Sequence, residues 1–413
     1  IVDALVRSGA IDVIVIDFFH WTQQGDYKFD PEYWPDPEKM IEELNAMDIE
    51  VMVSFWPSVD YRSENFAEMM EKGYLVRTEE GVRVTMQFFG QEVFLDPTNP
   101  EAQKFVWNKV KGNYWDKGVK MFWLDIAEPE YTGYDFGNYR YYLGSDLEVG
   151  NIYPAMYSKT FYEGMKEEGL ENPINLVRCA WAGSQKYGTL VWSGDIDCTF
   201  NSLQRQIKAG LSMGLAGIPW VTTDIGGFQG ANIHDEDFKK LLIRWFQFAC
   251  FSPVMRMHGY RQPGTHFDND FIAGVGQMGT GAENEIWSYG EEYFEIMKDY
   301  LFLRERLRPY IKDQMKKAHE DGTPVMRTLF YEFPEDQNCW DIDDQYLFGP
   351  DILVAPIVKE EQYEREVYLP EGSNWTNPWT NEEFEGGQTI SVEADLETIP
   401  VFLKDEAKLP IKG

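Results

Sequence analysis

Cysteine is scarce in this chain: four residues in 413, at Cys179, Cys198, Cys250 and Cys339. No two have the close spacing of a metal site, and three lie in apolar surroundings that suit buried thiols, so neither a disulfide framework nor a thiolate metal centre is expected. Histidine is nearly as rare, with five. His234 and His266 are the ones set among loop acids, where a histidine is usually solvated rather than ligating, so no metal or other cofactor is expected. Basic residues are outnumbered 70 to 37, for a net charge of −33. That field repels phosphate backbones and anionic bilayers; it excludes nucleic acid and membrane surfaces as natural partners and favours a neutral or cationic ligand. No apolar run is long enough to span a bilayer. The opening IVDALVRSGAIDVIVIDFF has no basic n-region and no cleavage site, which favours a cytoplasmic location. It also lacks an initiator Met and reads as the second half of a helix, so the chain is expected to be part of a longer protein.

What the chain has in plenty is aromatic surface, with 14 Trp and 23 Tyr in a composition that is 43% hydrophobic. Flat polarised rings beside carboxylates are good platforms for the C–H faces of sugars. Short β-branched and aromatic runs alternate with longer helical patterns: IDVIVIDFF, PDPEKMIEELNAMD, IEVMVSFWP, NFAEMMEKG, then VKMFWLDIA, INLVRCAW, TLVWSGD, GIPWVTTDIGG and SPVMRMHG. Helix candidates separate the later runs near 101–116, 156–169, 201–214 and 236–250. Strands buried on both faces read as continuous apolar runs, and strand–helix alternation implies parallel pairing. Seven such strands predict a (β/α)8 TIM barrel lacking its first strand. After a long helix ending near 322, the helical period gives way to short strands with turn residues (DILVAPIV, EREVYLPEG, TISVEA, TIPVFLKD), as in an antiparallel sandwich. The expected domains are a catalytic barrel over 1–325 and a smaller all-β sandwich over 326–413. The Gly-rich stretch 261–295 reads as a loop at the barrel mouth.

Lys120–Tyr131, KMFWLDIAEPEY, drives an apolar strand straight into Asp125, Glu128 and Glu130. In a barrel, functional groups sit at the C-terminal ends of strands. Here strand after strand ends on a polar residue: Asp17, Asp125, Arg178, Asp195, Asp224 and His258. Any one alone is as readily a strand terminator or helix cap; six together define a cup, with Trp56, Trp123, Trp192 and Trp220 near it. Several carboxylates around one Arg and one His suit glycoside hydrolysis, which needs an ionised nucleophile or base and a protonated acid. Asp125 and Asp195 are the leading pair. Arg178 beside Asp125 would favour its charged form, and acidic surroundings would raise Asp195 towards a proton donor. Glu128 is a candidate partner for an Arg behind Asp125.

WLDIAEPE, SGDID, TTDIGGF and RMHG, in this order and spacing, resemble the catalytic domain of glycoside hydrolase family 31, the α-glucosidase and α-xylosidase family. The resemblance covers the whole chain, sandwich included. It implies Asp125 as nucleophile and Asp195 as general acid/base. It implies that Arg178 holds the sugar in the first subsite, that His258 and Asp17 bond its hydroxyls, and that Asp224 lies beside it; Trp123 and Trp192 are expected to contribute to binding from their place near the cup, not from the resemblance. It also implies a retaining mechanism, with carboxyls about 5 to 5.5 Å apart. WLDIAEPE is closer to the α-xylosidase branch than to maltose-cleaving members, and Phe18 and Phe19 offer bulk where a glucose hydroxymethyl would sit. The expected partner is an oligosaccharide or glycoside, and a homo-oligomer is left open. α-Glucosidase and transglycosylase activities use the same acids and stay as alternatives, as do an inactive sugar-binding barrel and a metal-dependent lyase. The family's N-terminal β-sandwich, which lends a loop to the active site, has no counterpart in this sequence.

Overall fold

The computed structural model describes residues 11–81, 90–131, 135–264 and 281–411. His266 and the central part of the expected 261–295 loop lie outside them. Two compact units divide after Val191.

In the first unit, five parallel strands pair in chain order: β1 (Val13–Ile16), β2 (Glu50–Phe55), β3 (Met121–Leu124), β4 (Asn175–Val177) and β5 (Thr189–Trp192, of which Trp192 is counted with the second unit). β2 to β5 are buried on both faces in the manner of a helix-covered parallel sheet, whereas Ile14 and Val15 of β1 are exposed. The register sets Phe55 beside Leu124 and Leu124 beside Val177. The next residues along, Trp56, Asp125 and Arg178, therefore leave the sheet at one level. Ile16 pairs with Val53, so Asp17 leaves it at the level of Ser54, two residues lower on that stagger. Three helices cover the sheet: α1 (Pro37–Asn45), α2 (Pro100–Asn113) and α3 (Tyr153–Glu167). Each has Pro in its first turn, where no backbone donor is lost. The Asp36 and Asn99 side chains cap α1 and α2 by accepting from Lys39 N and Glu101 N. Phe161 of α3 meets both Phe55 and Phe122 with ring centroids 5.1 Å apart, which fastens helix to sheet.

The second unit begins with α4 (Phe200–Leu215), β6 (Val221–Thr222), α5 (Glu236–Cys250) and α6 (Glu291–Asp321). It continues through β7 (Met326–Arg327), β8 (Tyr346–Phe348), β9 (Ile352–Val354), β10 (Glu364–Leu369), β11 (Asn374–Asn377), β12 (Glu382–Glu385), β13 (Gln388–Glu393) and β14 (Val401–Lys404). The order β7–β8–β9–β14–β11–β12 forms one antiparallel sheet, and β10 pairs with β13 in a separate ribbon. Leu353, Val367, Leu369, Trp375 and Phe402 pack in their shared core. Arg244 ties α5 to this β region. Its guanidinium donates to the carbonyls of Asp395 at 2.8 Å, Thr398 at 3.0 Å and Ala394 at 2.9 Å. Burial lowers its pKa to about 10, so it stays cationic at neutral pH.

Two expectations need correction. SPVMRMHG is not a strand among the described residues. Pro253 has no N–H for a ladder, and the local carbonyls are occupied otherwise: Ser252 O and Pro253 O accept from Arg304, and Val254 O from Thr222 Oγ1. Trp220 does not join the cup. It precedes β6, at the strand end opposite Asp224, and its ring faces His319 at 6.5 Å.

Arg244→Met should lower unfolding free energy by about 2 to 3 kcal/mol, because carbonyls bonded by a buried cation lose their donor. Urea denaturation of wild type and variant checks this.

Candidate active site

The first unit carries Asp17, Trp123, Asp125 and Arg178. Asp125 follows β3 directly, and its N–H still bonds Phe55 O at 3.2 Å, so the strand geometry extends to the carboxylate's own backbone. The chain then turns sharply. Ile126 has φ 47°, a costly setting for a β-branched residue, and its N–H donates to Asp125 Oδ1 at 2.8 Å. The turn brings the acids that follow back towards the strand end. Arg178, at the end of β4, lies with Nε 3.0 Å from Glu128 Oε1, Nη1 2.9 Å from Glu130 Oε2 and Nη1 3.6 Å from Asp125 Oδ1. One cation thus serves three acids, all partly screened from solvent; the Asp125 side chain is 13% exposed. Glu128 takes the expected place on the arginine. Glu130, to which sequence reasoning gave no role, shares it; a third acid two residues past Glu128 was the available signal.

Asp17 follows β1, and its Oδ1 accepts from Phe18 N at 2.8 Å. Phe18 stacks on Trp56 with centroids 5.0 Å apart, while Phe19, at φ 63°, lies edge-on to Phe18 and 5.8 Å from Trp56. Aromatic rings therefore line the turn beside this carboxylate. Beneath it, His20 Nδ1 lies 2.9 Å from Asp17 O and Nε2 3.0 Å from Tyr114 OH. A carbonyl only accepts, so the proton sits on Nδ1 and the Tyr114 hydroxyl donates to Nε2. Burial lowers the His20 pKa to about 4, against the bond to Asp17 O. Trp123, inside β3, is buried.

The second unit carries Trp192, Asp195, Asp224 and His258. Asp195 follows Gly194, which sits at φ 74°, on an exposed loop. The loop is not loose. Phe228 N and Gln229 N both donate to Ile196 O, at 2.8 and 3.2 Å, and Cys198 N donates to Gln229 O at 3.3 Å. Gly226 and Gly227, at φ 85° and 83°, permit this approach; a Cβ on Gly227 would stand 2.6 Å from Asp197 O. Arg261, fully buried, holds the same turn by donating to Gly227 O at 2.8 Å and Ile225 O at 2.9 Å. Asp224 is fully buried and paired with Arg256, whose guanidinium also lies 5.7 Å from the Trp192 ring centre. Burial raises the Asp224 pKa and Arg256 opposes that rise. His258 lies beside the Phe228 ring, and burial, with Arg256 and Arg261 nearby, holds its pKa well below the ordinary imidazole value. Arg256 was missed from sequence, although an extended reading of RMHG puts it on the same side as His258 two residues on.

Among the described residues no group of three or more His, Cys, Asp or Glu is arranged to hold a metal ion, and no helix is long and apolar enough to cross a membrane. The four cysteines are free thiols.

Parallel strands that alternate with helices and end in charged residues, followed by an antiparallel β-sheet region, have the layout of a barrel-type enzyme with an appended β domain. Residues 7–314 match the glycosyl hydrolases family 31 TIM-barrel domain, and residues 322–407 match the family's C-terminal domain. The chain belongs to glycoside hydrolase family 31, and the (β/α)8 barrel is its first domain here. It is 35% identical to an α-xylosidase of Saccharolobus solfataricus over 98% of this chain and 52% of that protein. It is 58% identical to an uncharacterized family 31 glucosidase of Pseudescherichia vulneris over 62% of this chain and 49% of that protein. A crystal structure of a family 31 α-xylosidase from a soil metagenome, complexed with xylose, superposes with a TM-score of 0.95 at 56% identity, covering 98% of this chain and 60% of that one. The chain spans about half the length of the curated relatives it matches.

The folded state holds His20 below its unfolded pKa of about 6.5, so between pH 6.5 and 4 the unfolded chain binds the extra proton and stability falls as pH falls. From pH 7 to 5 this costs about 2 kcal/mol. His20→Gln should remove that part of the pH dependence, read from urea midpoints at the two pH values.

Proposed function

We propose that the protein carrying this chain is a retaining, exo-acting α-glycosidase that releases a terminal α-xylose. The observation that carries the reading is Asp125: a rigid strand delivers it to a turn that bonds its carboxylate, beside the Arg178 cation, in a chain of family 31. An opposite charge nearby favours the ionised form a nucleophile needs. In the proposed reaction an Asp125 oxygen attacks the anomeric carbon as the glycosidic C–O bond breaks. Asp195 gives its proton to the departing oxygen, leaving a β-glycosyl ester. Asp195 then takes a proton from water, whose oxygen displaces Asp125 and yields the α-sugar. Arg178, His258 and Asp17 bind sugar hydroxyls; Asp224 holds Arg256 beside Trp192, and Trp123 and Trp192 contribute apolar wall. The catalytic barrel extends to about residue 325 in this reading, with the sandwich from 326.

Xylose is favoured over glucose by the names of the relatives and, in this reading, by the Phe18–Trp56 stack beside Asp17, whose bulk would take the place of a hydroxymethyl group. Excluding one such group is worth about 1 to 3 kcal/mol, so α-glucosides should be slow substrates rather than inert ones. The glucosidase relative at 58% identity supports α-glucosidase activity as the second reading.

A panel of aryl α-xyloside, α-glucoside and α-galactoside substrates tests the preference, and NMR of the first-formed sugar tests retention; a β-anomer would sink the mechanism. Asp125→Ala should abolish turnover unless azide is added, which should give the β-glycosyl azide. Asp195→Ala should slow natural glycosides about 10²- to 10⁴-fold while sparing the first step for aryl substrates with good leaving groups.

A further inference from the structure

The three acids around Arg178 do not share it equally. Nη1 donates a hydrogen bond to Glu130 Oε2 at 2.9 Å, while its 3.6 Å separation from Asp125 Oδ1 is an ionic contact beyond hydrogen-bond range. Nε is directed to Glu128 Oε1 at 3.0 Å. One terminal nitrogen therefore faces two carboxylates and is bonded to the one with no part in the displacement.

Glu130 is held well enough to impose this. Its N–H donates to Ile126 O at 3.1 Å, closing the turn that starts at Asp125. The next residue, Tyr131, is buried, with its hydroxyl 2.7 Å from Tyr141 OH and its ring 5.1 Å from Phe94 and 4.5 Å from Tyr139. The Glu130 side chain is 28% exposed and that of Arg178 is 19% exposed, so their bond is partly withdrawn from water and stronger than a surface pair.

A guanidinium bonded directly to Asp125 would tie up the lone pairs that must attack carbon; one drawn away altogether would cease to favour its ionised form. We infer that Glu130 is a positioning residue, holding the Arg178 guanidinium at a set remove from Asp125 so that the carboxylate is kept charged without being bonded by Nη1. This rests on the reading of Asp125 as the nucleophile. Other groups in the field of Asp125 are the Cys179 thiol, near Glu128 and Arg178, and the Tyr157 hydroxyl. Burial raises the pKa of both, so they stay neutral as Asp125 titrates.

The test compares Glu130→Gln, which keeps an oxygen acceptor for Nη1 but removes the charge, with Glu130→Ala, which removes both, in the intact protein. A 5-fluoroxylosyl fluoride traps the glycosyl-enzyme; mass spectrometry maps the label and the trapping rate reports the first step. The label should fall on Asp125 throughout. Trapping should slow about tenfold in Glu130→Ala, the scale of one charge-assisted hydrogen bond, and less in Glu130→Gln. The acid limb of kcat/KM should move to lower pH in both variants, further in Glu130→Ala, because a cation that closes on Asp125 lowers its pKa. Wild-type trapping and an unmoved acid limb in Glu130→Ala overturn the inference, as does a rate loss that follows thermal stability with the limb unmoved. A label on another residue in the wild type sinks the nucleophile assignment instead, and this inference with it.

Discussion

A single guanidinium set among three carboxylates organises the first half of this site. Arg178 is the common partner of Asp125, Glu128 and Glu130, in a chain where acids outnumber bases almost two to one. Three carboxylates that close, partly buried and without a cation would repel one another and take up protons. With it they stay together, and the turn that gathers them becomes affordable despite the strained Ile126 backbone. The parallel register is what supplies the cation, since Arg178 leaves β4 at the level where Asp125 leaves β3.

The second unit solves a different problem. In its proposed role as proton shuttle Asp195 has to be accessible, yet exposure usually means mobility. Here the loop backbone is bonded to the Gly226–Gly227 turn, and that turn is held by Arg261 from below. Mobility is removed by main-chain bonds and the side chain is left in solvent. Asp224, by contrast, is fully buried against Arg256, an arrangement suited to holding a neighbour in place rather than to exchanging protons with substrate.

Much of this was legible from residue order because it depends on short-range rules. Apolar runs of strand length, each ending on a polar residue, predict both the parallel sheet and the emergence of Asp17, Asp125 and Arg178 from strand ends; the stagger that sets Asp17 lower is a matter of pairing register and is not written in the runs. What failed to show depends on three-dimensional competition for partners. SPVMRMHG has a strand's composition, but Arg304 and Thr222 occupy its carbonyls from elsewhere in the chain. Trp220 looked like a rim residue because the run GIPWVTTD is longer than the two residues that pair, which leaves the indole at the wrong end. The division of Arg178 between Glu128 and Glu130 turns on a left-handed residue at Ile126, and β-branched side chains carry no advance signal of that conformation.

The bonds made by Arg244 reach from a helix of the barrel domain to carbonyls of the region that follows it. A cassette can be exchanged between proteins only when few contacts cross its boundary, and this boundary is crossed by a desolvated cation. The C-terminal region of this chain is therefore a built-in buttress of the helix that precedes it, and recombination that cut between them would strand a charge on one side and open carbonyls on the other.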